Sequence, residues 1–108
     1  GWIHAQPANG VASALDWSKG AHLLIFWEVS HEASRNHLLA FQGRAAPWLD
    51  RGLQVLSLTR LTKDSTGDQV VDFLNAQNWN LPVAREDGAL KRAFKVGALP
   101  AAVLIQNG

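Results

Sequence analysis

The chain has 108 residues, of which 47% are hydrophobic. A chain of this size and composition can bury one core, which indicates a single domain spanning residues 1–108. Its formal charge of +1 comes from 10 Lys and Arg against 9 Asp and Glu without like-charged blocks, which argues against nucleic acid or an anionic membrane surface as a partner. The absence of cysteine excludes disulfides, thiolate nucleophiles and Cys-ligated metals in this chain.

The first half of the chain predicts a strand, a long helix and a second strand. The continuous apolar run "HLLIFW", residues 22 to 27, is typical of a strand covered on both faces. Ser30 is predicted to cap the following helix, with Glu32 in its first turn. Apolar residues at helical spacing extend this helix to about residue 50: Ala33, Leu38, Phe41, Ala45, Trp48 and Leu49. Gly43 and Pro47 are expected to weaken or kink it. "LQVLSL", 53 to 58, predicts the second strand.

The second half continues the alternation of strands and helices. Thr66 and Gln69 fit a capping box, and a buried stripe follows in a helix that ends near Asn78. "LPVARE" predicts a short strand, "DGALKRAFKV" a turn and a short helix, and "AAVLIQ" a last strand. No segment approaches the roughly 20 apolar residues that span a bilayer, so no membrane insertion is expected. The pattern indicates an α/β sandwich around a largely parallel sheet.

The order of these pieces resembles a known family. "LLIFW" before the first helix and "FKVGALPAAVLIQNG" at the end are similar to the TlpA/ResA type of thioredoxin-like redoxins, the extracytoplasmic thiol-disulfide oxidoreductases. The resemblance covers nearly the whole chain. It implies a thioredoxin-like sandwich with a central mixed sheet flanked by helices, and a location in the bacterial periplasm. It also implies a cis peptide bond at Leu99-Pro100, with Pro100 facing the redox site.

The chain departs from the family at the redox site. Alignment of "FW" with the family's "FW" places His31 and Ser34 at the two cysteine positions, so the motif reads His31-Glu32-Ala33-Ser34. An imidazole and a hydroxyl can neither attack a disulfide as a thiolate nor resolve a mixed disulfide. Ile25 replaces a buried acid of thioredoxins, and His37 replaces a glutamate of some relatives. No catalytic residue is therefore assigned.

Family members continue beyond the final turn with another strand and a C-terminal helix that covers one face of the sheet. Both are missing from this sequence, which is therefore expected to be a fragment of a longer polypeptide.

The resemblance places several side chains around the former redox groove. They are Trp27, Glu28, His31, Glu32, Ser34, His37, Leu99 and Pro100. A metal site would have to draw on His4, His22, His31 and His37, but no His-x-x-x-His pair exists, and His31 and His37 lie about 240° apart on a helix. Ser34 and His37 share a helical face, although no orienting acid or oxyanion loop accompanies them. Neither a metal nor a cofactor is predicted.

Three hypotheses remain open from the sequence. The first is a redox-inactive domain that binds a protein or peptide partner, or further domains of its own polypeptide, through the cis-proline groove. The second is a noncysteine or metal-dependent enzyme centred on His31. The third is a purely structural domain of a multidomain protein. Activity as an enzyme is not expected, because the only chemistry that the family uses depends on thiols.

Overall fold

A computed structural model describes residues 20–78, 83–85, 92 and 95–107. Its elements, in chain order, are β1 (Gly20–Trp27), α1 (Glu32–Leu49), β2 (Gln54–Thr59), α2 (Gly67–Ala76), β3 (Val83–Arg85) and β4 (Ala101–Asn107). The lead-in before Gly20 and most of the helix predicted in "DGALKRAFKV" lie outside the described residues. Neither described helix is long and apolar enough to cross a membrane.

The four described strands form one mixed sheet in the order β3-β2-β1-β4. β1 runs parallel to β2, and β2 runs parallel to β3. β4 runs antiparallel to β1, with Leu104 opposite Leu23 and Ala101 opposite Phe26. The central mixed sheet expected from the sequence is confirmed, and the parallel pattern holds for β1, β2 and β3 but not for β4.

The sheet buries apolar residues on both faces, as the continuous run in β1 predicted. The face beneath the two helices contains Leu23, Ile25 and Trp27, which pack with Leu38 of α1 and Leu74 of α2, among others. The opposite face holds a second cluster that is built on Leu24, Phe26, Leu56, Leu58 and Ala84.

The start of α1 differs from the prediction. His31, and not Ser30, occupies the N-cap position, and its side chain makes no capping hydrogen bond. The Ser30 hydroxyl lies 2.6 Å from the hydroxyl of Ser65, which follows β2, so it is engaged in a tertiary contact instead of capping the helix. Among the apolar residues whose spacing predicted this helix, Ala33 and Trp48 are exposed. α1 packs on the sheet through Ser34, Leu38 and Ala45 instead.

The end of α1 is fixed by a glycine. The backbone N–H of Leu53 donates to the carbonyl of Trp48, and that of Gly52 donates to the carbonyl of Leu49. These two bonds form a Schellman motif, which requires a left-handed residue at Gly52, where φ is +95°. Pro47 lies inside the helix without ending it. The chain therefore turns sharply from α1 into β2 and brings Leu53 close beneath the last turn.

The capping box of α2 is confirmed. The Thr66 side chain accepts a hydrogen bond from the Gln69 N–H, and the Gln69 side chain accepts one from the Thr66 N–H. Val70 and Leu74 are buried beneath α2, while Val71 and Phe73 are partly buried. These contacts place α2 on the same face of the sheet as α1.

Candidate functional site

The sheet topology brings the predicted site residues to one end of the sheet. Ala101 at the start of β4 pairs with Phe26 near the end of β1, so Pro100 and the junction between β1 and α1 lie at the same end. The Leu99-Pro100 peptide bond is cis, as the family resemblance implied, and both residues are half-buried. We call the surface formed by Glu28, His31, Glu32, Leu99 and Pro100 the proline-end surface.

His31 projects outward from this surface. Its side chain is 54% exposed, and its Nε2 atom lies 3.8 Å from Oε2 of Glu28, too far for a hydrogen bond. Glu32, in the first turn of α1, is also exposed. His31 thus has a carboxylate nearby but no base or nucleophile within hydrogen-bonding distance among the described residues.

Ser34, unlike the exposed His31, is fully buried. It has 0% exposed surface, and its Oγ atom has no hydrogen-bond partner among the described residues. His31 and Ser34, which the family resemblance aligned with two cysteines, therefore differ sharply, since the first side chain faces solvent and the second is buried.

His37 is half-buried on α1 and packs against Phe41, with ring centroids 4.5 Å apart. Its Nε2 atom is buried and has no partner in the part of the chain that the structure describes. Burial, reinforced by the positive charge of Arg44, lowers the pKa of His37 below its usual 6.5. Ser34 and His37 share a face of α1 but do not form a hydrogen-bonded dyad.

Trp27 belongs to the core and not to an exposed groove wall. It is 1% exposed and packs against Phe73 of α2, with ring centroids 5.7 Å apart. Trp27 can therefore support the proline-end surface from below but cannot contact a partner without local rearrangement.

Hydroxyl side chains fix the junction between β1 and α1, a feature that the sequence did not reveal. Ser65 accepts a hydrogen bond from the Ser30 N–H at 3.3 Å, in addition to the contact between the two hydroxyls. Thr62 holds Ser65 in turn, because its hydroxyl accepts from the Ser65 N–H at 3.0 Å. Arg35 donates to the Val29 carbonyl at 2.6 Å. The loop after β2 and the first turn of α1 thus fix the backbone that carries His31.

The described histidines, His22, His31 and His37, do not assemble into a metal site. Among the described residues, no group of three or more His, Asp and Glu side chains is placed to hold a metal ion. His22 is buried in β1 and contacts the Gln54 side chain at 3.0 Å. His4 lies outside the described residues.

Comparison with known proteins defines the fold. No protein-family model and no curated protein matches the chain. A solved structure of a putative thiol:disulfide interchange protein DsbE from Chlorobium tepidum is similar, with a TM-score of 0.70 and 22% sequence identity over 83% of this chain. StoA from Bacillus subtilis matches with a TM-score of 0.70 and 16% identity over 86% of this chain and 69% of its own.

A secreted disulfide oxidoreductase from Mycobacterium tuberculosis also matches, with a TM-score of 0.61 and 13% identity over 89% of this chain and 74% of its own. These similarities show that the chain has the thioredoxin-like fold. It spans 62% of the length of the Chlorobium tepidum protein. The predicted fold class is thus confirmed.

Proposed function

We propose that this chain is a redox-inactive thioredoxin-like domain that acts as a binding or scaffold module through its proline-end surface. The observation that carries the proposal is the state of the two former redox positions. His31 faces solvent as an imidazole, while the Ser34 hydroxyl is fully buried. Thiol-disulfide exchange needs a thiolate and a second thiol, and neither position provides one.

The proline-end surface has features suited to an extended peptide. Gly97 and Ala98, which precede the half-buried Leu99 and Pro100, are exposed, so a peptide lying beside them has backbone groups with which to pair. Glu28 and Glu32 flank His31 and favour a partner segment that carries basic side chains. Residues of the same polypeptide outside this domain, or a separate protein, can supply such a segment.

The alternative of an enzyme centred on His31 has less support. It requires His31 in a pocket within hydrogen-bonding distance of Ser34, Glu28 or Glu32. Instead, the imidazole is more than half exposed, and Ser34 is enclosed in the protein. An NMR titration with a peptide distinguishes the third hypothesis, a purely structural domain, from a binding module. We also propose an extracytoplasmic location, on the basis of the family resemblance and the secreted Mycobacterium tuberculosis protein of similar fold.

The first test measures whether two cysteines introduced at positions 31 and 34 are sufficient for disulfide-reducing activity. In an insulin-reduction assay, the parent chain should show background turnover, and the double variant His31→Cys/Ser34→Cys should gain activity because both thiols then stand at the start of α1. The control Asn36→Cys/Ala40→Cys places two thiols at exposed positions further along α1 and should stay near background. Turnover by the parent chain would overturn the proposal.

The second test addresses binding directly. A synthetic extended peptide of alternating valine and lysine serves as the probe in an NMR titration of the full chain. Shift changes are expected at residues 28–32 and 99–101, and Glu28→Lys/Glu32→Lys should weaken them. The matched variant Asp68→Lys/Asp72→Lys changes two exposed acids on α2 and should leave these shift changes as large as in the parent chain. Shift changes confined to other regions, or none at all, would favour the purely structural domain.

A further inference from the structure

His31 has an acidic neighbour within reach at the proline-end surface. Its Nε2 atom lies 3.8 Å from Oε2 of Glu28, three residues earlier in the chain, and the two side chains are 54% and 21% exposed. A charge-assisted hydrogen bond spans about 2.7 to 2.9 Å. A side-chain movement of about 1 Å therefore turns this contact into a direct ion pair when the imidazole is protonated.

The backbone that carries this pair is fixed by hydrogen bonds on both sides. The His31 N–H donates to the Glu28 carbonyl at 3.2 Å, and the Arg35 N–H donates to the His31 carbonyl at 3.0 Å. Between the two acidic and basic positions, Ser30 is held by Ser65. Protonation of His31 therefore changes the contacts of its side chain and leaves the path of the backbone as it is.

The Glu28 carboxylate is open to a basic side chain from outside. Among the described residues, no cationic group other than the His31 imidazole forms an ion pair with it. While the imidazole is neutral, a lysine or arginine of a bound segment can take this carboxylate. Once the imidazole is protonated, the same carboxylate already has a cation beside it.

Other charged groups surround this pair. Glu32 and Arg35 lie in the first two turns of α1. Further charged side chains stand on the loop that packs against this junction, at the start of α2 and before the cis proline: Arg60, Lys63, Asp64, Asp68 and Lys95. In the part of the chain that the structure describes, none of these groups forms an ion pair with His31. The charge on His31 therefore acts first on Glu28.

Protonation of His31 reverses what a basic segment meets at this surface. Histidine is the side chain that ordinarily changes its charge between about pH 5 and pH 8. A neutral imidazole leaves Glu28 and Glu32 as two acids that attract the segment. An imidazolium pairs with Glu28 and cancels one of those charges. Because this competing contact lies within the chain, it forms at a higher effective concentration than the contact with a dilute partner.

We propose that His31 is a pH-dependent switch on the proline-end surface, which binds a basic extended segment when the imidazole is neutral and releases it when the imidazolium pairs with Glu28. This inference rests on the proposed binding function and adds its regulation. The partner it fits is an extended segment rich in lysine or arginine, bound near neutral pH and released in acid.

The peptide of alternating valine and lysine tests this switch in NMR titrations at about pH 7.5 and about pH 5.5. The full chain should bind it about fivefold more weakly at the lower pH, because an exposed ion pair is lost. His31→Gln should bind it equally well at both. The same peptide with acetylated lysines is the control. Its binding should not change with pH, which separates the switch from any loss of folded protein in acid.

Glu28→Gln and Glu32→Gln are a matched pair of variants. Each removes one acid from the surface, but among the described residues only Glu28 forms an ion pair with His31. Both variants should bind the lysine peptide more weakly at about pH 7.5. Glu32→Gln should keep the fivefold dependence on pH, whereas that of Glu28→Gln should fall below about twofold. Equal pH dependence in the two variants would show a general effect of charge and overturn the proposal.

The outcomes separate this inference from the proposed function. Binding at residues 28–32 and 99–101 that is equally tight at both pH values in the parent chain would overturn the switch and leave the binding module standing. A pH dependence that His31→Gln retains would also overturn the switch alone. No binding of the lysine peptide at either pH would overturn both proposals.

Discussion

Trp27 and Thr59 are direct partners across β1 and β2, and both are buried beneath the helices. Neither the indole Nε1–H of Trp27 nor the hydroxyl of Thr59 has a hydrogen-bond partner among the described residues. Ser34 and Ser57 add two further buried hydroxyls without partners in that part of the structure. The face of the sheet below the proline-end surface therefore contains polar groups whose desolvation is not offset by hydrogen bonds.

Replacing Thr59 with valine should preserve or raise stability. The substitution keeps the branched shape and removes a buried hydroxyl that lacks a partner, so we expect the free energy of unfolding to stay level or rise by up to about 1 kcal/mol. Thr66→Val is the matched control, because that hydroxyl caps α2 and its loss should cost about 1 kcal/mol. Urea denaturation measures both, and a clear loss of stability in Thr59→Val would contradict the prediction.

Ser65 should be far more sensitive than Ser57, although both have 0% exposed surface. Ser65→Ala removes the hydrogen bonds that hold Ser30, so the free energy of unfolding should fall by about 1–3 kcal/mol. Ser57→Ala removes a hydroxyl without a described partner and should change it by less than about 1 kcal/mol. Equal losses of stability in the two variants would show that the contact between Ser30 and Ser65 does not stabilise the junction.

Ser34→Ala should leave both the free energy of unfolding and the rate of ester hydrolysis unchanged. Its hydroxyl is enclosed and makes no hydrogen bond to His37, so it cannot act as an activated nucleophile in this conformation. Hydrolysis of p-nitrophenyl acetate by the parent chain, Ser34→Ala and His37→Gln should proceed at the same rate. A large fall in both variants would restore the serine hydrolase alternative.

Protonation of His37 should make the free energy of unfolding depend on pH. Because burial and Arg44 lower its pKa, the unfolded chain binds the proton more readily than the folded chain. The stabilisation gained by keeping His37 neutral is fully present above pH 6.5 and is lost as the pH falls through the lower folded-state pKa.

Denaturation at about pH 7.5 and about pH 5 measures this effect. His37→Gln should lose less stability between the two conditions than the parent chain does. His31→Gln serves as the control, because it replaces an imidazole that is more than half exposed. If His37→Gln loses as much free energy of unfolding between the two pH values as the parent chain does, His37 is not the source of the pH dependence.

The fold was largely predictable because its signals are local. The apolar run of β1 and the capping box of α2 each depend on neighbouring residues, and both elements formed as predicted. The N-cap of α1 was not predictable, since the contact that removes Ser30 from capping comes from Ser65, 35 residues away in the chain. The orientation of α1 was not predictable for a related reason, because helical spacing alone does not show that Ser34 is buried while Trp48 is exposed.

The sequence by itself determined that this chain has no thiol chemistry, which composition decides, and that strands alternate with helices, which short-range periodicity decides. Only the tertiary structure decided that the sheet is mixed and how the side chains at the start of α1 are placed. The packing of α1 on the sheet exposes His31 and encloses Ser34. The same packing leaves Trp48 exposed, because α1 contacts the sheet through Ser34, Leu38 and Ala45.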